Sequence, residues 1–282
     1  MKKKITIIIV SMLISLTLYT QNIKTYRISD TLLLNEVEIK SRTLFSDTVG
    51  VYDQPEWSTV RKSPTARVYL TALPGTISFE HWFEIRTYKD KVEMRTREEL
   101  TFGLGKRFQL DLYLLGLKTF DGNDGPFILR GISTEIRYAL ADWGKIFGNP
   151  TLYFEYQILN NSYQVIEPKL LFGDVFGKKK NNMWAINFVY EGNIAPIEDR
   201  FDEFQTTISY HHMFGNVVSV GVAGQYTKVW ESKIYNGTYD CLVGPSLQLT
   251  LSKKAFLDIE PLIGVFNSEK ISKVYFIFGW KI

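Results

Sequence analysis

From about Gly75 onward, apolar and polar positions alternate with a period of two, in segments of about ten residues separated by turn-forming residues. Phe108, Leu110, Leu112 and Leu114 share one parity, and Gln109, Asp111 and Tyr113 share the other. Leu152, Phe154, Tyr156 and Ile158 oppose Tyr153, Glu155 and Gln157 in the same way. At the end of the chain, Val274, Phe276, Phe278 and Trp280 oppose Tyr275, Ile277, Gly279 and Lys281. Successive side chains of a strand point to opposite faces, so the pattern predicts strands rather than helices. Twelve such segments are predicted: 76–88, 92–104, 107–119, 127–140, 151–159, 163–174, 183–192, 202–214, 217–230, 241–252, 255–266 and 273–282.

The links between segments alternate in kind. Gly105-Lys106, Phe214-Gly215-Asn216 and Ser252-Lys253-Lys254 are tight turns, whereas 121–126, 192–200 and 231–240 are longer and polar. Short turns at one rim and long loops at the other, on an even strand count, are the signature of a transmembrane barrel. The predicted fold class is therefore all-β: an antiparallel up-and-down β-barrel of about 12 strands with both ends on the periplasmic side. The links 142–150 and 177–182 are longer than this side expects. Pro168, Pro245 and Pro261 fall inside predicted strands on the lipid parity, where bulges or bends are expected.

Residues 1–20 read as a signal peptide, with Lys2, Lys3 and Lys4 ahead of an apolar run too short for a spanning helix. Residues 21–73 are polar and irregular, with Pro55 and Pro64, and are expected to form a periplasmic arm or a partial plug of the lumen. Residues 74–282 form the predicted outer-membrane barrel. The chain carries 33 Lys and Arg against 30 Asp and Glu, and loss of the first segment removes three of the bases. A balanced mature chain argues against nucleic acid as a partner. The mean hydropathy of −0.08 is compatible with a barrel, because the two faces of each strand average out. The single cysteine, Cys241, excludes an internal disulfide.

The closing run Val274-Tyr-Phe-Ile-Phe-Gly-Trp-Lys-Ile282 resembles the C-terminal strand of bacterial outer-membrane proteins. That resemblance implies recognition by the barrel assembly machinery and residence in outer-membrane lipid of a Gram-negative cell. Lys106-Arg-Phe-Gln-Leu-Asp-Leu112, Tyr138-Ala-Leu-Ala-Asp-Trp-Gly144 with Gly148-Asn-Pro-Thr-Leu152, and Lys169-Leu-Leu-Phe-Gly-Asp174 are similar to an uncharacterised, transporter-like family of such barrels. The run from Asp30 to Arg42 resembles the segment that opens the plug of TonB-dependent receptors in Bacteroidetes-like bacteria. A full plug and a 22-stranded barrel do not fit this chain.

One parity of the predicted strands collects charges of both signs: Glu80, Glu84, Arg86, Arg95, Arg97, Glu99, Asp111, Glu135, Arg137, Glu155, Glu167, Lys169, Glu191, Asp258 and Glu260. These are the candidate lumen residues, either salt-bridged in a closed interior or lining a pore that selects small polar solutes. Acids outnumber bases in this set, which points to cations or neutral molecules. Trp82, Trp143, Trp184, Trp230 and Trp280 lie mostly near segment ends and are expected in an aromatic girdle at the membrane interface.

Two alternatives to a small-solute channel are a closed structural or interaction barrel and a lipid-active enzyme. The three histidines, His81, His211 and His212, lack the His-x-Ser-Asn pattern of outer-membrane phospholipases. Adjacent His211 and His212 on a strand would point to opposite faces, which disfavours a shared metal. Neither catalysis nor a cofactor is expected.

Overall fold

In the computed structural model, residues 48–49, 51–120, 125–231, 234–267 and 269–282 are described. The predicted signal peptide, the segment 30–42 and the arm as far as residue 47 lie outside the described residues. Two short paired strands, β1 (Thr48–Val49) and β2 (Gln54–Pro55), are followed by a 3₁₀ turn over Glu56–Thr59. Twelve antiparallel strands then close into a barrel. They are β3 (Ile77–Thr87), β4 (Val92–Gly105), β5 (Phe108–Phe120), β6 (Ile128–Ala139), β7 (Thr151–Leu159) and β8 (Val165–Phe176). The other six are β9 (Asn182–Asn193), β10 (Phe201–Phe214), β11 (Val218–Glu231), β12 (Ile234–Thr250), β13 (Ala255–Phe266) and β14 (Glu269–Lys281). Each pairs with its neighbours in sequence, and β14 closes the ring on β3 through Phe276↔Phe83 and Ile277↔Trp82. The predicted twelve-stranded barrel is found, with β12 beginning earlier than its predicted residue 241.

The alternation sorts side chains as a barrel in an apolar medium requires. On β14, Phe276, Phe278 and Trp280 are exposed outward while Ile271, Lys273 and Ile277 are buried inward. Leu112, Leu114, Ile132, Ile136, Leu152, Phe154, Ile158, Ile208, Val220 and Val222 continue the outward apolar face around the ring. The buried set is instead rich in polar groups, including Glu99, Gln109, Asp111, Arg137 and Asp258. The interior is thus polar and the exterior apolar, the reverse of a soluble domain.

Of the bulges or bends expected at the three strand prolines, no bulge is found. Pro168 keeps its place opposite Phe154 on β7, while the β8–β9 ladder skips residues 167 and 168 and resumes in the same register. Pro245 and Pro261 interrupt the β12–β13 ladder between Val243↔Ile263 and Leu247↔Ile259, again without a shift. A proline removes one donor toward one neighbour only, so the other ladder survives. Real register shifts fall at Gly103/Gly105, Leu115/Gly116 and Val229/Glu231.

The second of these shifts inserts Arg130 on β6 between Leu115↔Gly131 and Gly116↔Leu129. Gly131 has φ of 159°, and a Cβ there would meet Ile158 O at 2.2 Å. Only glycine fits this crowded backbone.

Residues 51–75 run inside the barrel at the rim where the chain enters β3 and leaves β14. Tyr52, Trp57, Ala66, Val68, Tyr69 and Leu70 pack with Ala139, Met183, Ala185 and Met213 of the wall in one apolar cluster. The long link 140–150 braces it: Trp143 N donates to Tyr52 O at 2.8 Å, and Tyr69 OH donates to Ala141 O at 2.9 Å. Trp143 also meets the rings of Trp57 and Tyr69 edge-on at 5.5 and 5.3 Å. That contact accounts for a link longer than a simple turn.

Candidate functional site: the charged lumen

The internal segment is fastened by its polar atoms to inward side chains of the wall. Asn187 of β9 accepts from Arg67 N at 2.7 Å and donates to Arg67 O at 2.7 Å, so one side chain satisfies both backbone groups. Gln109 Oε1 of β5 accepts from Thr71 N at 2.8 Å and Ala72 N at 3.0 Å. Ser63 Oγ donates to Glu260 Oε2 at 2.9 Å, and Lys281 Nζ donates to Thr59 Oγ1 at 2.7 Å. Buried backbone polar groups require partners, and here the wall supplies them.

Two arginines of the segment enter a buried acidic layer. Arg61 Nη2 lies 2.7 Å from Glu80 Oε2 and 3.5 Å from Glu99 Oε2. Arg67 Nη1 lies 2.9 Å from Glu135 Oε2, and its Nη2 lies 3.5 Å from Glu99 Oε2. Arg137 joins from β6, pairing with Asp111 Oδ2 at 3.2 Å and closely with Glu135. Trp82 Nε1 donates to Glu99 Oε2 at 2.9 Å, and the Arg61 guanidinium sits 4.4 Å over the Trp82 ring. Charges buried from water need partners; each of these is ion-paired, although Arg61 Nη1 and Arg137 Nη1 and Nη2 have no hydrogen-bond partner among the described residues. Lys62 Nζ donates to Gln248 Oε1 at 2.9 Å, and burial pushes its ammonium down to about 8 against the partial support of Asp258.

Beyond this layer, a cavity of about 420 Å³ extends from Pro64, Thr65 and Arg67 to Tyr88, Tyr239 and Phe266 at the opposite, loop rim. A second cavity, of about 10 Å³, lies between Trp57, Arg61, Ala66, Arg67, Val68 and Met183, with room for about one water. The internal segment is therefore the floor of the large cavity.

Among the described residues, seven bases line the large cavity against five acids. The bases are Arg67, Arg86, Arg95, Arg97, Arg130, Lys169 and Lys273, and the acids are Glu84, Glu167, Glu191, Glu203 and Asp240. Arg86 pairs with Glu84, Lys169 with Glu167 and Lys273 with Asp240, while Arg95 is held 2.8 Å from Glu93.

The structure divides the sequence candidates between two levels. Glu80, Glu99, Asp111, Glu135 and Arg137 belong to the buried layer around Arg61 and Arg67. Glu155 accepts from Ser133 Oγ at 2.6 Å, and Asp258 and Glu260 are buried beside the internal segment. Glu84, Arg86, Arg95, Arg97, Glu167, Lys169 and Glu191 line the cavity. The sequence reading missed the segment's bases Arg61, Lys62 and Arg67, and also Arg130, Glu203, Asp240 and Lys273 in the cavity. Gly131 in mid-strand was the available signal for the bulge that turns Arg130 inward.

Trp82 is a correction to the expected aromatic girdle. It shares the parity of Glu80 and Glu84 and is buried inside the barrel, hydrogen-bonded to Glu99. Trp143 likewise braces the internal segment rather than standing at an outer interface. Trp230 and Trp280 are exposed on the outward face, and Trp184 stacks with Phe147 at 5.8 Å.

His211 is buried with Nδ1 3.2 Å from Ser219 Oγ, whereas His212 meets Asn182 Oδ1 at 2.8 Å and lies edge-on to Phe214. The two point to opposite faces of β10.

No family model matches the chain, and no curated protein matches it. Among solved structures, an outer membrane channel from Pseudomonas putida F1 is similar at a TM-score of 0.56 and 8% identity, covering 76% of this chain and 98% of that one. The NanC porin is similar at a TM-score of 0.50 and 11% identity, covering 72% of this chain and 100% of its own. At these identities the likeness establishes a shared barrel fold.

Proposed function

We propose that this chain is an outer-membrane barrel that admits small polar solutes into a charged lumen, with passage controlled by its own residues 51–75. The observation that carries this reading is the 420 Å³ cavity running from the loop rim to a floor built by Pro64, Thr65 and Arg67. The outward apolar face supports insertion into lipid, since contiguous exposed apolar surface of this extent is not stable in water. Export through the N-terminal targeting segment, periplasmic placement of the rim that carries the internal segment, and delivery by the barrel assembly machinery through β14 belong to the same reading. The shared fold with an outer membrane channel and a porin supports it at the level of architecture.

Liposome swelling tests it. Proteoliposomes holding the purified chain should swell in an isotonic pentose solution more slowly than with an open porin but faster than empty liposomes. A swelling rate equal to that of empty liposomes, from protein that shows heat-modifiable migration, would remove the solute-passing role and leave a closed structural barrel.

A further inference from the structure

Of the cavity's charges, Arg97 and Arg130 stand apart. Among the described residues, neither guanidinium makes an ion pair or donates a side-chain hydrogen bond; Arg97 lies 5.7 Å over the Tyr113 ring. The other cavity bases each have a carboxylate partner, three within the cavity and those of Arg67 and Arg95 beside it. Glu191 and Glu203 face each other across β9 and β10; Glu155 and Glu167 act on Arg97, and Glu191 on both arginines, only from beyond salt-bridge distance. Arg130 is in the lumen only because the β5–β6 bulge adds one residue to β6, where Gly131 allows the close approach of the β7 backbone at Ile158. Without that insertion, the alternation that buries Ser133, Glu135 and Arg137 would turn residue 130 outward. A bulge that carries a fourth arginine beside Arg86, Arg95 and Arg97 works against the barrel's own electrostatics, unless an anion occupies the space.

Building on the solute-admitting reading above, we infer that Arg97 and Arg130 form a binding site for a small oxyanion, the carboxylate or phosphate group of a solute in the lumen. Guanidinium groups bind both groups through paired, charge-assisted hydrogen bonds. A cavity of about 420 Å³ falls within the range of small-molecule sites. With Arg67 and Arg95 paired to carboxylates beside the cavity, Arg97 and Arg130 are the bases left in its lining to receive an anion, with Glu191 and Glu203 the remaining acids. This preference is opposite to the cationic or neutral one that the wall strands suggest when read alone. The difference arises because Glu80, Glu99, Asp111 and Glu135 lie in the layer beneath the floor rather than in the cavity.

Calorimetry on the full chain in nonionic detergent tests the inference without requiring conduction. The probes are succinate, inorganic phosphate and succinamide, the last being the neutral counterpart of the first. Succinate or phosphate should bind with saturation and succinamide should not; the anion that binds identifies the source group. Arg97→Gln and Arg130→Gln should each weaken binding roughly tenfold or more. Lys179→Gln, in an exposed turn, should leave it unchanged. Absence of binding by both anions to the wild-type chain, equal binding of succinamide, or undiminished anion binding in the double variant would overturn the site. Anion binding in a barrel that fails the swelling assay would keep the site and discard the pore. Swelling without anion binding would do the reverse.

Discussion

The Arg67 guanidinium of the internal segment lies 2.9 Å from the Glu135 carboxylate of β6, both of them buried. A side chain from a stretch with almost no regular structure is thereby locked to the wall of the barrel. Glu135 also accepts from Tyr113 OH and Arg137, so the contact joins the segment to β5 and β6 together. The lumen is obstructed by contacts of this kind rather than by the barrel wall itself.

Arg67→Ala should destabilise the folded barrel by roughly 3–5 kcal/mol, because it leaves Glu99 and Glu135 short of a buried partner. The temperature of the heat-modifiable gel transition reads the loss. Glu135→Gln keeps the shape of the contact and should cost less; a larger loss for Glu135→Gln than for Arg67→Ala would contradict the assignment.

Asn187→Leu should release the segment without changing any charge. It removes the pair of hydrogen bonds on Arg67 N and O, each worth about 1 kcal/mol and more when its partner is left unsatisfied. Trypsin should then cut after Arg61, Lys62 or Arg67 in the intact barrel, and should spare these bonds in the wild-type protein. Equal cleavage of both proteins would show that Asn187 does not hold the segment.

The seating of the segment should depend on pH through Lys62. Its ordinary value of 10.5 falls to about 8 in the lumen. A base whose folded value is depressed penalises folding fully below the folded value, and the penalty fades as pH rises toward the unfolded one. Seating should therefore strengthen between about pH 8 and pH 10.5, at up to roughly 1.4 kcal/mol per unit. Protease protection of the segment measured across that range should rise in the wild type, and Lys62→Met should flatten the profile. An unchanged slope in Lys62→Met would assign the dependence to another group.

Gly131→Val should be poorly tolerated, since its Cβ would meet backbone atoms at 2.2 Å and at 2.9 Å. A backbone shift or loss of the bulge follows, at a cost of about 1–3 kcal/mol. The gel transition temperature should fall, and any anion binding should weaken with it. Wild-type stability in Gly131→Val would mean that the bulge is not needed to place Arg130.

The outer wall was legible in the sequence because strand alternation is local: each strand announces its faces without reference to its partners. The twelve segments, and the inward side of residues such as Glu99, Asp111 and Glu155, followed directly. Trp82 departs from the girdle pattern because it lies at the middle of its strand, on the inward parity that it shares with Glu80. Arg130 was invisible because a bulge changes parity at one residue, and alternation counting has no term for it. Arg61, Lys62 and Arg67 carry no periodic signal at all. Their place depends on carboxylates dozens to hundreds of residues away, such as Glu135 for Arg67 and, for Lys62, Asp258.

Single-channel recording in planar bilayers tests the central claim most directly, comparing the wild-type chain with the double variant Arg67→Ala, Asn187→Leu. The wild type should give small conductance steps, and the double variant should give clearly larger ones at the same salt and voltage as the segment leaves the lumen. Conductance within noise for both proteins at every voltage, or identical steps from both, would contradict a pore controlled by its own N-terminal segment.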